Sequence, residues 1–480
     1  MPAATRAELA AWQANASPLE PGADERARLA ALVFDHAQAF LANLEKGPAN
    51  RPRADAVSRR LDPEFTEGGR DPSDVLSYIA QCVDRPGITT ASPRFMGYIP
   101  GGGLFHSALG DFLAAASNKY AGFASAGPGA VRMENATTDW LARVVGLPES
   151  AAGALTSGGS MANLSAIVAA REARDCDGGG AVYMTPLAHH CIDKALLIAG
   201  RAKAPRRTIA IDGRYRMSVE ALEAAIESDI AAGVRPWLVV ASAGTVDTGS
   251  VDPLADIAAL CEKHGVWFHV DGAYGGLFML CEEGKAVLGG IERADTLALD
   301  PHKTLFLPYG TGAVLARDGR HLLDTYSSSA DYIRPLGETE VGPSPADLSP
   351  ELTRHFRAMR LWLPLQIAGV AAFRAAQSEK IGLARYFHAR MRAAAGFEVG
   401  PPPDLSVVAF RYLPEKGDVD EFNERLIARV QAEGRIFLSG TRLAGRAFLR
   451  CAILSFRTHL DHIDETIEVL LRTAKEVEAE

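Results

Sequence analysis

Between about residue 90 and residue 370 the chain alternates short, almost uninterrupted apolar runs with stretches of helical periodicity, and few folds accept that pattern. The runs cover 181–184, 208–211, 237–241, 266–270, 296–299 and 312–316, with helical segments such as 160–174 and 253–264 between them. A strand with one covered face alternates apolar and polar residues, whereas a strand covered on both faces is apolar throughout. Strands of the second kind separated by helices predict an α/β fold, a mainly parallel central sheet with helices on both faces. In such sheets ligands gather beyond the carboxyl ends of the strands, so chemistry is sought in the residues just after each run.

The flanking regions have other rhythms. Up to about residue 92 the chain reads as helical, with Leu29, Leu32, Val33, His36, Phe40 and Leu44 at helical spacing and prolines at 48, 52, 63 and 72 punctuating the segment after them. From about 375, strands at 406–412 and 447–455 and helices at 418–433 and 461–478 describe a smaller α+β domain. Three parts are expected: 1–92, 93–374 and 375–480.

Composition removes several function classes. Apolar residues make up 48% and charged residues 23% of the chain, which suits a packed core and argues against disorder. The net charge is −9 and no basic cluster marks a nucleic-acid footprint; Arg201, Lys203, Arg206 and Arg207 read as a solvated loop before a strand. No run approaches the roughly 18 apolar residues of a membrane helix. The N-terminus lacks the basic start and long apolar stretch of a signal peptide. Six scattered cysteines form no CxxC pair, so no metal site is expected and a reducing cytoplasm is.

Five motifs stand after the apolar runs or open a helix. The stretch 156–163 (Thr-Ser-Gly-Gly-Ser-Met-Ala-Asn) offers free N–H groups and hydroxyls at a helix start, a combination that attracts phosphate but also serves ordinary capping. It lacks the lysine of a nucleotide-binding P-loop. His189 comes after the run ending at Met184, and Thr245 after the run ending at 241. Asp271-Gly272-Ala273-Tyr274 comes after the run ending at Val270, where the carboxylate reads equally as a ligand or a helix cap. Asp300-Pro301-His302-Lys303 comes after the run ending at Leu299. A buried lysine amine tends toward its neutral, nucleophilic form. Anion cradle, ring-stacking group, carboxylate and lysine, all at strand ends, are together what pyridoxal phosphate (PLP) requires.

On these residues the chain resembles the PLP-dependent group II decarboxylases, and within them the aromatic amino-acid branch, from about residue 93 to about 458. Further matching stretches are 94–100 (Arg-Phe-Met-Gly-Tyr-Ile-Pro), Gly122-Phe123 and 354–362 (Arg-His-Phe-Arg-Ala-Met-Arg-Leu-Trp). The resemblance implies fold type I, the aspartate-aminotransferase-like architecture, and a homodimer with active sites at the interface. It implies that Lys303 holds the cofactor as a Schiff base, Asp271 holds the proton on its ring nitrogen and His189 stacks on the ring. Gly159, Ser160 and His302 are assigned to the phosphate, and Thr245 and Ala273 to the ring. Tyr332 is implied as the loop residue that delivers a proton to the substrate carbon; its presence favours decarboxylation over the oxidative route to an aldehyde. Tyr98, Ile99, Pro100, Phe123 and Thr353 fall at substrate-pocket positions. Ile99 stands where an aromatic residue is expected, and Gly101-Gly102-Gly103 replaces larger side chains. A glutamate-like or aliphatic substrate therefore stays open beside the aromatic one.

Overall fold

The computed structural model of the protein describes residues 3–51, 65–174, 179–327 and 342–480. Its centre is a sheet of seven strands: β1 (Ala152–Thr156), β2 (Ala181–Met184), β3 (Arg206–Thr208), β4 (Pro236–Ser242), β5 (Trp267–Gly272), β6 (Thr296–Leu299) and β7 (Gly312–Ala316). Their spatial order is β1-β7-β6-β5-β4-β2-β3. The pairs among β6, β5, β4, β2 and β3 are parallel, and β7 runs antiparallel between β1 and β6. The expected α/β architecture is therefore present, with one reversed strand.

The apolar runs are continuous because both faces of the sheet are covered. Trp237, Leu238, Val239 and Val240 are all buried, as are Thr296, Leu297, Ala298 and Leu299. The helix Gly159–Arg174 covers one face with Ala162, Ala166, Ala169 and Ala170, small side chains that let a helix lie close to the strands. The helix Leu254–His264 ends at Gly265, whose φ of +65° is the left-handed cap that a side chain disfavours.

The expected strand at 208–211 is displaced: β3 spans Arg206–Thr208, at the sheet edge. Two of the four basic residues read as a solvated loop belong to it, Arg206 pairing with Asp193 (2.8 Å) and Arg207 with Asp229 (2.5 Å). An edge strand can carry charges that an apolar pattern does not reveal.

Register then places the chemistry. Ser242 pairs with Asp271, and Asp271 with Ala298, so the ends of β4, β5 and β6 lie side by side. Asp271 and Asp300 thereby become neighbours although 29 residues separate them.

A second, antiparallel sheet holds β8 (Phe397–Val399), β9 (Val407–Tyr412), β10 (Ser439–Leu443) and β11 (Arg446–Ala452), in the order β8-β9-β11-β10. The helices Val419–Glu433 and Leu460–Ala479 pack beside it. Its core also takes Met96, far away in sequence. The helix Val370–Ala393 runs through the expected boundary at 374/375; Phe373 joins the large core while Phe387 and Met391 join the small one.

At the N-terminus the helices Arg6–Ala16 and Ala23–Asn43 bury none of their residues within this chain. Trp12 and Val33 are 59% and 55% exposed. No described helix is long and apolar enough to cross a membrane. The five described cysteines are free and buried.

Candidate active site

A cavity of about 300 Å³ opens where the carboxyl ends of β4, β5 and β6 meet the start of the helix Gly159–Arg174. On its wall stand Gly159 and Ser160 from that helix, His189, Thr245, Asp271 and Ala273, and His302 and Lys303. All eight residues singled out for a cofactor are thus brought together.

Each is positioned by identifiable contacts. Asp271 accepts the Ala273 N–H at 3.1 Å, which closes the turn after β5. Two residues earlier the fully buried His269 bonds Asn163 (2.7 Å) and Thr296 (3.0 Å), tying the helix Gly159–Arg174 to β5 and β6. Burial pushes the His269 pKa down to about 4, so this strut stays neutral. Gly244 passes so close to Tyr274 that a Cβ there would meet the ring at 2.7 Å, and its φ is +102°. Thr245 is the next residue. Its hydroxyl begins a chain through Thr248 (2.8 Å) and Ser250 (2.6 Å) to the Arg214 carbonyl (3.0 Å). A carbonyl only accepts, so every proton in the chain points away from Thr245, which offers lone pairs to the cavity.

The Cys191 N–H donates to His189 Nδ1 at 3.2 Å, leaving the proton of the neutral ring on Nε2. Burial holds the His189 pKa below its ordinary value against the pull of Asp271. His302 donates from Nδ1 to the Thr311 carbonyl at 2.8 Å, and burial likewise lowers its pKa.

Lys303 departs from expectation. Its Nζ lies 3.0 Å from Asp300 Oδ2, in a one-turn helix, Pro301–Thr304. Burial favours the neutral amine, but the Asp300 and Asp271 carboxylates outweigh it and raise the pKa. In this state the amine is an ammonium ion.

The donor set fits PLP. The first N–H groups of a helix lack intrahelical partners and carry the positive end of its dipole, which suits a phosphate at Gly159 and Ser160. The turn is built for close approach: a Cβ on Gly159 would come within 2.8 Å of Asp300 Oδ2 and 3.0 Å of the Ala273 Cβ. A carboxylate, a neutral imidazole and a lysine amine share the same cavity.

The profile of the pyridoxal-dependent decarboxylase conserved domain matches residues 55–413. The chain belongs to this family. It is a PLP-dependent amino-acid decarboxylase. It is 35% identical to an aromatic-L-amino-acid decarboxylase of Bacillus atrophaeus, across 93% of this chain and 94% of that one. It is 28% identical to a phenylacetaldehyde synthase of Arabidopsis thaliana, across 81% and 83% of the two chains. Among solved structures, Oryza sativa TDC with PLP and tryptamine superposes with a TM-score of 0.89 at 26% identity, covering 96% of this chain and 99% of that one.

The residues expected at the substrate end are not on the cavity wall. Tyr98 is 57% exposed, and Thr353 is exposed too. Phe123 stacks on Tyr120 at 6.2 Å, while Ile99 and Pro100 are buried and do not line the cavity. Tyr332 lies outside the described residues. Sequence reasoning gave no role of their own to Asp300, Asn163 and Tyr274, though they stood in its motifs, and missed Cys191; all four line the cavity. For Asp300 a signal existed: it stands three residues before Lys303, one helical turn away.

Proposed function

We propose that this decarboxylase acts on an aromatic L-amino acid, releasing CO2 and the corresponding amine. The observation that carries the reading is the convergence of Lys303, Asp271, His189 and the Gly159 helix start on one cavity. Similarity to a protein named aromatic-L-amino-acid decarboxylase supports the aromatic side chain.

The chemistry the cofactor supplies when bound is an electron sink for the pair left on Cα as CO2 departs. The protein's residues do the rest. Gly159 and Ser160 hold the phosphate, with His302 near it. Asp271 would hold a proton on the ring nitrogen, His189 would close one face of the ring, and Thr245 would lie by the ring, with Ala273. Lys303 is the covalent anchor. Tyr332 is the proposed donor of the proton that replaces the carboxyl group.

Asp271→Asn should keep the cofactor yet lose turnover by about 10²–10³-fold, the usual effect of removing one preorganised charge from a reacting centre. Cofactor content and initial rates on the same sample measure it; full turnover would remove Asp271 from this role.

The working unit is proposed to be a homodimer in a reducing cytoplasm. The two N-terminal helices bury no residue fully in their own chain, and Tyr98, Phe123 and Thr353 stand outside the cavity, where a second chain would complete the substrate pocket.

The similarity to a phenylacetaldehyde synthase favours one alternative, oxidative release of an aldehyde. A single assay separates the two. The PLP-loaded protein is incubated with tyrosine, DOPA, phenylalanine, tryptophan, histidine, glutamate and a branched aliphatic amino acid, and amine, aldehyde and peroxide are measured. Amine from an aromatic substrate without peroxide is expected. Aldehyde with peroxide would move the protein to the oxidative branch, and amine from glutamate or the aliphatic acid alone would overturn the aromatic assignment.

A further inference from the structure

Asp300 is the most deeply buried carboxylate on the cavity wall, 2% exposed. Its Oδ2 lies 3.0 Å from Lys303 Nζ and 3.7 Å from His302 Nε2, while its Oδ1 is buried without a hydrogen-bond partner. The carboxylate presses on the Gly158–Gly159 turn, where a Cβ on Gly159 would meet Oδ2 at 2.8 Å. A negative side chain thus stands at the threshold of a helix start that attracts anions.

Its surroundings leave a single counter-ion. His302, from the same short helix, and His189 both have lowered pKa values through burial and stay neutral. Burial pushes the Cys191 thiol up to about 12. Asp271, from β5, adds a second negative charge. Among the described residues of the cavity, Lys303 is the cation that remains.

We propose that Asp300 is a charge latch, which holds the Lys303 ammonium beside the Gly158–Gly159 turn in the cofactor-free protein and opposes the phosphate that enters the same turn. The inference rests on the reading of that turn as the phosphate site and of Lys303 as the anchor. Like charges in a poorly solvated site repel far more than in water. Asp300 therefore sets how tightly the phosphate is held, and Lys303 moderates the repulsion while it remains an ammonium. A carboxamide has the same shape without the charge and can donate to a phosphate oxygen.

The test compares wild type with Asp300→Asn. In cofactor-free protein, acylation of Lys303 by an amine-selective reagent at pH 8 is measured by peptide mass spectrometry. Loss of the nearest carboxylate lets the amine shed its proton at lower pH, so labelling should rise at least about tenfold, one pKa unit's worth. Inorganic phosphate, measured by competition with PLP loading, should bind tighter by a similar factor. Unchanged labelling, or unchanged or weaker phosphate binding, overturns the proposal. Lys303→Met provides an independent arm: it should weaken phosphate binding by leaving the Asp300 charge unmoderated, and Asp300→Asn should then tighten binding by a larger factor in the Lys303→Met background than in wild type. Simple additivity of the two substitutions overturns the latch. Borohydride reduction of loaded wild type separates the underlying reading from the inference. An adduct on Lys303 upholds the anchor. An adduct on another lysine sinks the anchor, and the labelling comparison still decides whether Asp300 holds Lys303.

Discussion

Lys303→Ala should bind PLP only reversibly and lose turnover by roughly a thousandfold or more, the scale expected when the covalent group of a site is deleted. The helix start at Gly159 and the Asp271 carboxylate remain, so the cofactor should still enter. What would disappear is the amine proposed to anchor it. Two measurements on one sample decide the outcome. Borohydride-reduced protein should carry no cofactor adduct, and multiple-turnover rates should fall while a first turnover with preloaded cofactor persists. An adduct at wild-type level would assign the anchor to another lysine. The substitution also strands Asp300 without its 3.0 Å partner, so some loss of folding stability should accompany the loss of activity.

The second large effect is on stability. Arg354→Met is expected to destabilise the fold by about 3–5 kcal/mol, because it leaves Glu134 buried without its counter-charge. Both side chains are fully buried, 2.8 Å apart. They clamp one residue of β1 at both its backbone polar groups: Glu134 accepts the Leu155 N–H at 3.0 Å, and Arg354 donates to the Leu155 carbonyl. Burial raises the Glu134 pKa, with Arg354 opposing. Leu155 stands two residues before Ser157, so the clamp supports the turn on which the phosphate is proposed to sit. Urea unfolding of the single variant and of an Arg354→Met/Glu134→Met pair measures the coupling. The pair should recover most of the loss, since two apolar side chains replace two charges. A single variant within about 1 kcal/mol of wild type would show that the buried pair carries no such energy.

The fold class was legible because strands covered on both faces must be apolar throughout. The strands that escaped notice lack that signal. β1 (Ala152–Thr156) is built of small residues. β10 (Ser439–Leu443) is an edge strand that exposes part of its length. β3, expected at 208–211, begins earlier instead, on two arginines whose partners, Asp193 and Asp229, are remote in sequence.

Most of the candidate site was legible for a related reason. Parallel strands deliver their carboxyl ends to one edge, so motifs placed after successive runs must converge there. Asp271 and Lys303 could be placed in one cavity from that rule alone.

The sequence by itself therefore determined the architecture, the set of reactive residues and their convergence, since these depend on local pattern and on a rule of sheet geometry. Tertiary structure decided the electrostatics. Lys303 was expected to be neutral because burial disfavours charge, yet two carboxylates outweigh the burial. Only the folded chain reveals the direction in which Thr245 offers its hydroxyl, the neutral His269 strut under Asp271, and the Glu134–Arg354 clamp on β1. Hydrogen-bond direction and protonation depend on atoms a few ångströms apart that lie tens or hundreds of residues apart along the chain, and no local pattern carries that information.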